Sequence, residues 1–438
     1  MTPLRASAPS PESLAAWAWE ESAGLLVHPA LPVTEQPDPP ELEDLSALPG
    51  DALLEALAQA HRQEGPSPER DHAAAVTLRL RRLALEVLRR AWSGPERELI
   101  RQRADALRRE LAGEVVTYVV NRNLNVSNHC VKHCAFCAFR RDAGEAGAYW
   151  LGVEELEQRA VEAQRAGATE LCLQGGLNPA ARIGGSQLAY AAALLERLRR
   201  AAPGIHLHAF SPQELLFFAQ QDGLPLDAVL ERLIAAGLGS VPGTAAEVLS
   251  EPVRRVICPE KLSAREWVTV MLQVQQSGLA ATSTLMAGHI EAPADRMAHL
   301  LTLVALQRRA QAQGLAGFTE FVLLPFVGEA APAPLRARVG RDQPDLAAML
   351  LLTAQARLIL GPWIPRHQPS WVKLTLAGAQ EALRWGCNDL GGTLMEEHIT
   401  TMAGARGGTA QSPASLGRAA RHLDRPAQQR TTLYEPVP

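Results

Sequence analysis

Hydrophobic positions recur with one period before residue 113 and with another after it. From Leu53 to Leu111 apolar residues return every three or four positions, and Leu80, Leu83, Val87 and Leu88 share one stripe. That spacing predicts a helical region over 51–112. Its arginines look like a basic patch, but Glu86 interrupts them and Glu96 and Glu98 follow, so they read as a solvated face. Beyond Gly113, short apolar runs alternate with amphipathic stretches. The predicted strands are Val115–Asn121, Glu170–Gln174, His206–Phe210, Gly239–Val241, Ala281–Met286, Glu320–Leu324, Ser370–Leu374 and Asn388–Leu390. Helices are predicted at Glu154–Ala166, Ala189–Ala201, Ala264–Gln276 and Arg296–Gln313. Capping boxes at Thr244-x-x-Glu247 and Ser263-x-x-Glu266 predict two helix starts.

Strands interleaved with helices in this way predict an α/β fold, a (β/α)8 TIM-type barrel over 113–404. A doubly wound open sheet competes, but no G-x-G-x-x-G follows the first strand. Both termini read as loose. The first fifty residues hold nine of the 31 prolines, eight acids and Arg5 as their one base. Such a Pro-rich acidic extension is expected to be disordered. The Gly-, Arg- and Pro-containing stretch 405–438 reads as a loose tail.

Charge narrows the function classes. With 43 Lys+Arg against 47 Asp+Glu the net charge is −4, which argues against a nucleic-acid partner. No apolar run approaches the ~20 residues of a bilayer span. The N-terminus carries only the brief apolar patch Leu14 to Trp19, not a secretory core, so a cytoplasmic protein is expected. Only three lysines occur, Lys132, Lys261 and Lys373; this Arg bias reads as codon usage rather than chemistry.

Six cysteines in so long a chain are too few for a disulfide framework, yet three of them cluster as Cys130-x3-Cys134-x2-Cys137. Thiolates at this spacing curl around one inorganic core. A four-iron cluster ordinarily takes four thiolates, so three leave one iron open to the amino and carboxylate groups of S-adenosylmethionine. Phe136 precedes the last cysteine, and the run follows the first predicted strand, where a barrel's active site belongs. The competing reading is structural zinc held by the cysteines with His129 or His133, as in a zinc-stabilised interaction protein. No second cysteine pair follows at zinc-finger spacing, which favours the cluster. Cys172, Cys258 and Cys387 stand alone and read as small hydrophobes.

Other candidates sit at later strand ends. Gln174-Gly175-Gly176 lets backbone approach a cofactor closely. Asn178 and Glu214, then His289 with Glu291, offer polar groups at the rim, as do Trp371, Lys373 and Asn388 to Gly392. Pro242-Gly243-Thr244 reads as a turn with a helix cap.

Taken together, Asn121-Arg-Asn-Leu-Asn-Val-Ser-Asn128, the cysteines and Ala138-Phe-Arg-Arg141 resemble the second-subunit family of FO synthase. So do His208 to Pro212, Pro242 to Glu247, Cys258 to Leu262, Gly317 to Val322, Ser370 to Leu374 and Asn388 to Glu397. The resemblance implies a radical S-adenosylmethionine transferase. In that family the adenosyl radical takes a hydrogen atom from L-tyrosine, the Cα–Cβ bond breaks, and 2-iminoacetate leaves. The 4-hydroxybenzyl group joins C5 of 5-amino-6-(D-ribitylamino)uracil on the way to 8-hydroxy-5-deazaflavin. It further implies Cys130, Cys134 and Cys137 as ligands of a [4Fe-4S] cluster, and Phe136, Gln174, Gly175 and Gly176 as S-adenosylmethionine contacts. A companion radical enzyme, FO synthase subunit 1, and a flavodoxin or ferredoxin donor are the implied partners. Relatives often carry Gly-Gly-x-His-Pro after the second strand, where this chain has Asn178 before Pro179. The neighbouring aminofutalosine synthases of menaquinone biosynthesis are the alternative; Pro242-Gly-Thr-Ala-Ala-Glu247 and Asp389-Leu-Gly-Gly392 depart from their pattern.

Overall fold

The computed structural model describes residues 45–63 and 78–438, together with the backbone of 19–20 and 25–26. Most of the acidic extension expected over 1–50 therefore lies outside the described residues. The helical region is present as Gly50–Gln63, Leu78–Arg89 and Gly94–Ala112. Leu80, Leu83, Val87 and Leu88 are all buried, as their stripe required. Arg81 and Glu86 are buried too, so this helix is covered on more than one side and its arginines are not simply solvated.

Ten short strands follow: β1 (Val116–Val119), β2 (Asn121–Leu124), β3 (Glu170–Leu173), β4 (His206–Ala209), β5 (Ser240–Val241), β6 (Ala280–Ala287), β7 (Phe318–Pro325), β8 (His367–Pro369), β9 (Asp389–Gly392) and β10 (Ala427–Arg430). β2 through β8 pair in chain order into one curled, parallel seven-stranded sheet, a half-barrel. β1 lies in a second parallel sheet between β9 and β10. The first predicted strand is thus two. Val119 O accepts from Thr393 N and Val120 O from Thr169 N, so the run changes partners at that step. Helices cover the outer face, and all eight residues of β6 are buried, as a parallel sheet covered on both faces demands.

Three expectations need correction. The strand predicted at Ser370–Leu374 is three residues early, at His367–Pro369, and Trp371–Ala382 is helical. The β-prone Trp371-Val372 pair is overridden because Leu374 N donates to Ser370 O and Trp371 Nε1 to Gly392 O. No helix starts at Thr244: residues 244–250 form turns, the next helix is Glu251–Ile257, and Glu247 is drawn inward by Lys261 instead of capping. The Ser263 to Glu266 box does cap its helix.

The third correction concerns 405–438. This stretch is built into the fold rather than loose. Its helix Pro413–Arg421 buries Leu416, Ala419 and Ala420, and β10 pairs with β1. Arg430 on β10 carries the attachment: Nε donates to Asp389 Oδ2 at 2.6 Å and Nη2 to Glu320 Oε2 at 2.9 Å, all buried. Composition alone conceals this, because the residues that pair with Arg430 are distant in sequence. Among the described residues no helix is long and apolar enough to cross a membrane.

Arg430→Met should leave two carboxylates buried without their cation. The expected loss is ~3–5 kcal/mol of unfolding free energy, measurable by urea denaturation at pH 8, because burial raises the Glu320 carboxyl and an alkaline medium favours the charged form that needs the guanidinium. Stability within 1 kcal/mol of wild type, by roughly that measure, would contradict the attachment.

Candidate active site

The cysteine run leaves the end of β2 as a loop clamped on two sides. On one side Val131 N donates to Leu177 O and Gly176 N to Ser127 O at 2.7 Å. On the other, Ala135 N donates to Ile257 O at 2.8 Å, and His133 N to the Glu260 carboxylate at 3.0 Å. Gly176 permits the first clamp, because a Cβ there would stand 2.1 Å from His129 O. The paired glycines are expected to admit a cofactor; Gly176 also admits the close approach of the chain's own cysteine loop.

Cys130, Cys134 and Cys137 all line one cavity of about 410 Å³ within the curl of the sheet. A cavity of that size is ordinary for a small-molecule site. Phe136, Gln174, Gly175 and Gly176 line it with them, so these sequence-predicted contacts are brought together with the cysteines. Lys261 closes the same corner, with Nζ 5.4 Å from the Phe136 ring and 2.6 Å from Glu247 Oε1. Burial pushes the Cys134 thiol up to about 12, and the Lys261 cation opposes that push. A soft, half-buried thiol set beside a cation suits an anionic iron–sulfur centre better than hard ligands would. The residues present therefore fit the cluster.

Glu214 is also at this cavity, and its position is doubly determined. It is the third residue of helix Pro212–Asp222 and completes a capping box with Ser211, whose N and Oγ both lie 2.7 Å from its Oε2. Its other oxygen accepts from Gly175 N at 3.2 Å. Burial lifts this carboxyl to about 7 despite those donors. Deeper in, Asn121 Nδ2 donates to Glu170 at 2.7 Å, and His206 and His208 share the Ser240 hydroxyl. Glu170, His208, Glu320 and Arg430 all reach the cavity lining.

Two candidates are not brought there. His289 is buried beside Glu291, donates from Nε2 to Met286 O and accepts from Ile290 N at Nδ1, and does not line the cavity. It is a satisfied structural histidine of the turn after β6. Asn178 lies behind the glycine pair, where Oδ1 accepts from Ala180 N and Gln187 Nε2 donates to its backbone oxygen. It lines a smaller aromatic recess with Tyr190, Phe210 and Phe217, not the main cavity.

A model of the Radical SAM superfamily matches residues 124–304. The 5-amino-6-(D-ribitylamino)uracil–L-tyrosine 4-hydroxyphenyl transferase of Gloeobacter violaceus is 59% identical over 342 residues, covering 78% of this chain and 87% of the relative. Its namesake from Synechocystis sp. is 59% identical over 339 residues, covering 77% and 86%. The chain belongs to that transferase family. Among solved structures, the [FeFe]-hydrogenase maturase HydG is similar with a TM-score of 0.63 at 15% identity, over 89% of this chain and 78% of that one. Methylornithine synthase PylB follows at 0.59 and 15%, over 86% and 96%. These two share the fold.

Family membership brings a [4Fe-4S] cluster and S-adenosylmethionine in general; here the thiol loop opens onto a partly enclosed cavity whose largely apolar walls carry several charged groups. The sequence motifs alone do not point to the other groups that line the cavity, notably Lys132, Lys261, Arg430 and Thr432. A signal for the first two was present. All three lysines of this arginine-rich chain, Lys373 included, line the one cavity. No sequence-local signal marks Arg430 or Thr432.

Gly176→Ala is expected to displace the cysteine loop by forcing His129 O away, while the sheet stays folded. Anaerobically reconstituted variant should hold well under half the wild-type iron, roughly in proportion to the ligand geometry lost, with an unchanged far-ultraviolet circular dichroism spectrum. Full iron loading would show that the close approach is dispensable.

Proposed function

We infer that this chain joins the 4-hydroxybenzyl group of L-tyrosine to C5 of 5-amino-6-(D-ribitylamino)uracil, with release of 2-iminoacetate, in the formation of the 8-hydroxy-5-deazaflavin chromophore. The observation that carries the reading is 55–59% identity to the curated transferases over most of both chains. The aminofutalosine alternative finds no support among those relatives. An interaction protein stapled by zinc would not need three thiols facing a cavity.

Cys130, Cys134 and Cys137 are the cluster's ligands in this reading, and its fourth iron is left to S-adenosylmethionine. When bound, the cluster and S-adenosylmethionine supply the 5'-deoxyadenosyl radical. The chain's own residues do the rest. Gln174, Gly175 and Phe136 border the cofactor's side of the cavity. Glu214, held by Ser211 and Gly175, contributes a carboxyl that burial leaves able to take or give a proton near neutrality. The walls position two substrates together and keep bulk water out, which is the protein's share when a cofactor carries the hard chemistry.

The same reading closes the two sheets into one (β/α)8 barrel. Asn388 N donates to His367 O and Thr117 N to Asn388 O, which links β8 through β9 to β1. The barrel spans 113–404, with 51–112 as a helical layer and β10 added from beyond it. A cytoplasmic location, a flavodoxin or ferredoxin donor and a companion radical enzyme for ring closure complete the proposal.

Anaerobic turnover with S-adenosylmethionine, tyrosine and the ribityl pyrimidine tests it by mass spectrometry. The expected products are 5'-deoxyadenosine and a non-fluorescent adduct, converted to the fluorescent chromophore only when the companion enzyme is added. Aminofutalosine, or chromophore from this chain alone, would overturn the reading. Cys134→Ser should abolish S-adenosylmethionine cleavage with the fold intact, because serine oxygen is a harder, poorer iron ligand. Retained deoxyadenosine formation would remove Cys134 from the ligand set.

A further inference from the structure

Two cations of the cavity, Lys132 and Lys373, have ammonium groups with no hydrogen bond or ion pair among the described residues. Arg430 is bound to Asp389 and Glu320, Arg140 to Asp142, and Lys261 to Glu247. Lys132 sits in the cysteine loop itself, half exposed. Lys373 lies elsewhere, in the first turn of helix Trp371–Ala382 at the end of β8. Among the described residues its ammonium has no hydrogen bond and no carboxylate at ion-pair distance; Glu397 and Glu247 act on it only through space. Neither can swing over. Glu397 is held by Thr400 N at 2.7 Å and Thr401 N at 3.1 Å, and Glu247 is spent on Lys261. Burial with incomplete compensation lowers Lys373 to about 8.

Resting on the transferase reading, we propose that Lys373 anchors the α-carboxylate of the amino-acid substrate. A partly buried ammonium that faces the cavity without a fixed counter-ion binds an anion better than any neutral polyol or pyrimidine. Of the two substrates, the amino acid is the anionic-headed one. Its phenol-bearing side chain must be free to travel as the transferred group, so the head is the part to hold. The carboxylate leaves with 2-iminoacetate, so the anchor grips the half of tyrosine that is discarded. A compact lysine head suits a cavity that must release that fragment, where a bidentate arginine would hold it more tightly.

Equilibrium titrations of tyrosine and of tyramine, the same molecule without its carboxylate, test the assignment. They use the cluster-reconstituted enzyme with S-adenosylmethionine bound, as wild type, Lys373→Gln and Lys373→Arg. Wild type should prefer tyrosine. Lys373→Gln should bind tyrosine about tenfold to a hundredfold more weakly, the usual effect of losing a charge-assisted hydrogen bond, and bind tyramine unchanged. Lys373→Arg should recover part of the preference. Unchanged tyramine affinity doubles as the control for folding. Equal weakening for both ligands would make Lys373 structural, a loss confined to S-adenosylmethionine would make it a cofactor contact, and surviving discrimination in Lys373→Gln would overturn the anchor; each leaves the transferase reading standing. Wild type that neither binds nor consumes tyrosine would overturn both.

Discussion

The attachment of the chain's last strand by Arg430 is the constraint on which the interior depends. A parallel sheet that curls around a largely apolar cavity and still sets charged groups in its wall must hold them where water is scarce, and each unpaired one would be costly. Asp389 from β9 and Glu320 from β7 would both be buried alone without a cation that arrives from β10. The guanidinium satisfies both, packs 3.9 Å from the Tyr434 ring centroid and still borders the cavity. One residue thus joins the small sheet to the large one and forms part of the site. The active-site floor and the stability of the fold are the same set of contacts.

How much of this was legible depends on how local each determinant is. β3, β4 and β6 are short strand-length segments whose buried leucines, alanines and β-branched residues mark them locally, and the Ser263 box caps its helix through neighbours three residues apart. β8 was misplaced because Trp371 and Val372 favour a strand locally, while the bond from Trp371 Nε1 to Gly392 O, twenty-one residues on, holds them in a helical turn. Thr244 and Glu247 satisfy the capping pattern, but Glu247 has a stronger partner in Lys261. The last segment was misread for the same reason: an arginine's partner cannot be seen from composition.

The site divides along the same line. The cysteine spacing is local, and the loop that carries it turns Cys130, Cys134 and Cys137 to one cavity. His289 was chosen for its type and its place after a strand, yet a turn can consume a histidine completely, as Met286 O and Ile290 N do here. Asn178 lies behind the glycine pair, and its bonds to Ala180 N and Gln187 Nε2 brace the segment that follows it. Position at a strand end is therefore a weaker guide than the direction in which the turn sends the side chain.

The lysines argue for a different way of reading a biased composition. Codon pressure toward arginine explains the background, and it is the exceptions to a background that carry information. Arginine remains charged almost everywhere and asks for a planar, two-pronged partner, whereas lysine is compact and its charge answers to its surroundings. Lys261 and Lys373 face one cavity and are driven in opposite directions. Glu247 and the thiols hold Lys261 above its ordinary range, while burial draws Lys373 down to about 8. A single cavity therefore keeps one ammonium firmly charged beside the cysteine loop and another held more loosely on the wall at the end of β8. That division suits a compact cation whose charge the surroundings can set, and at both positions this arginine-rich chain has lysine.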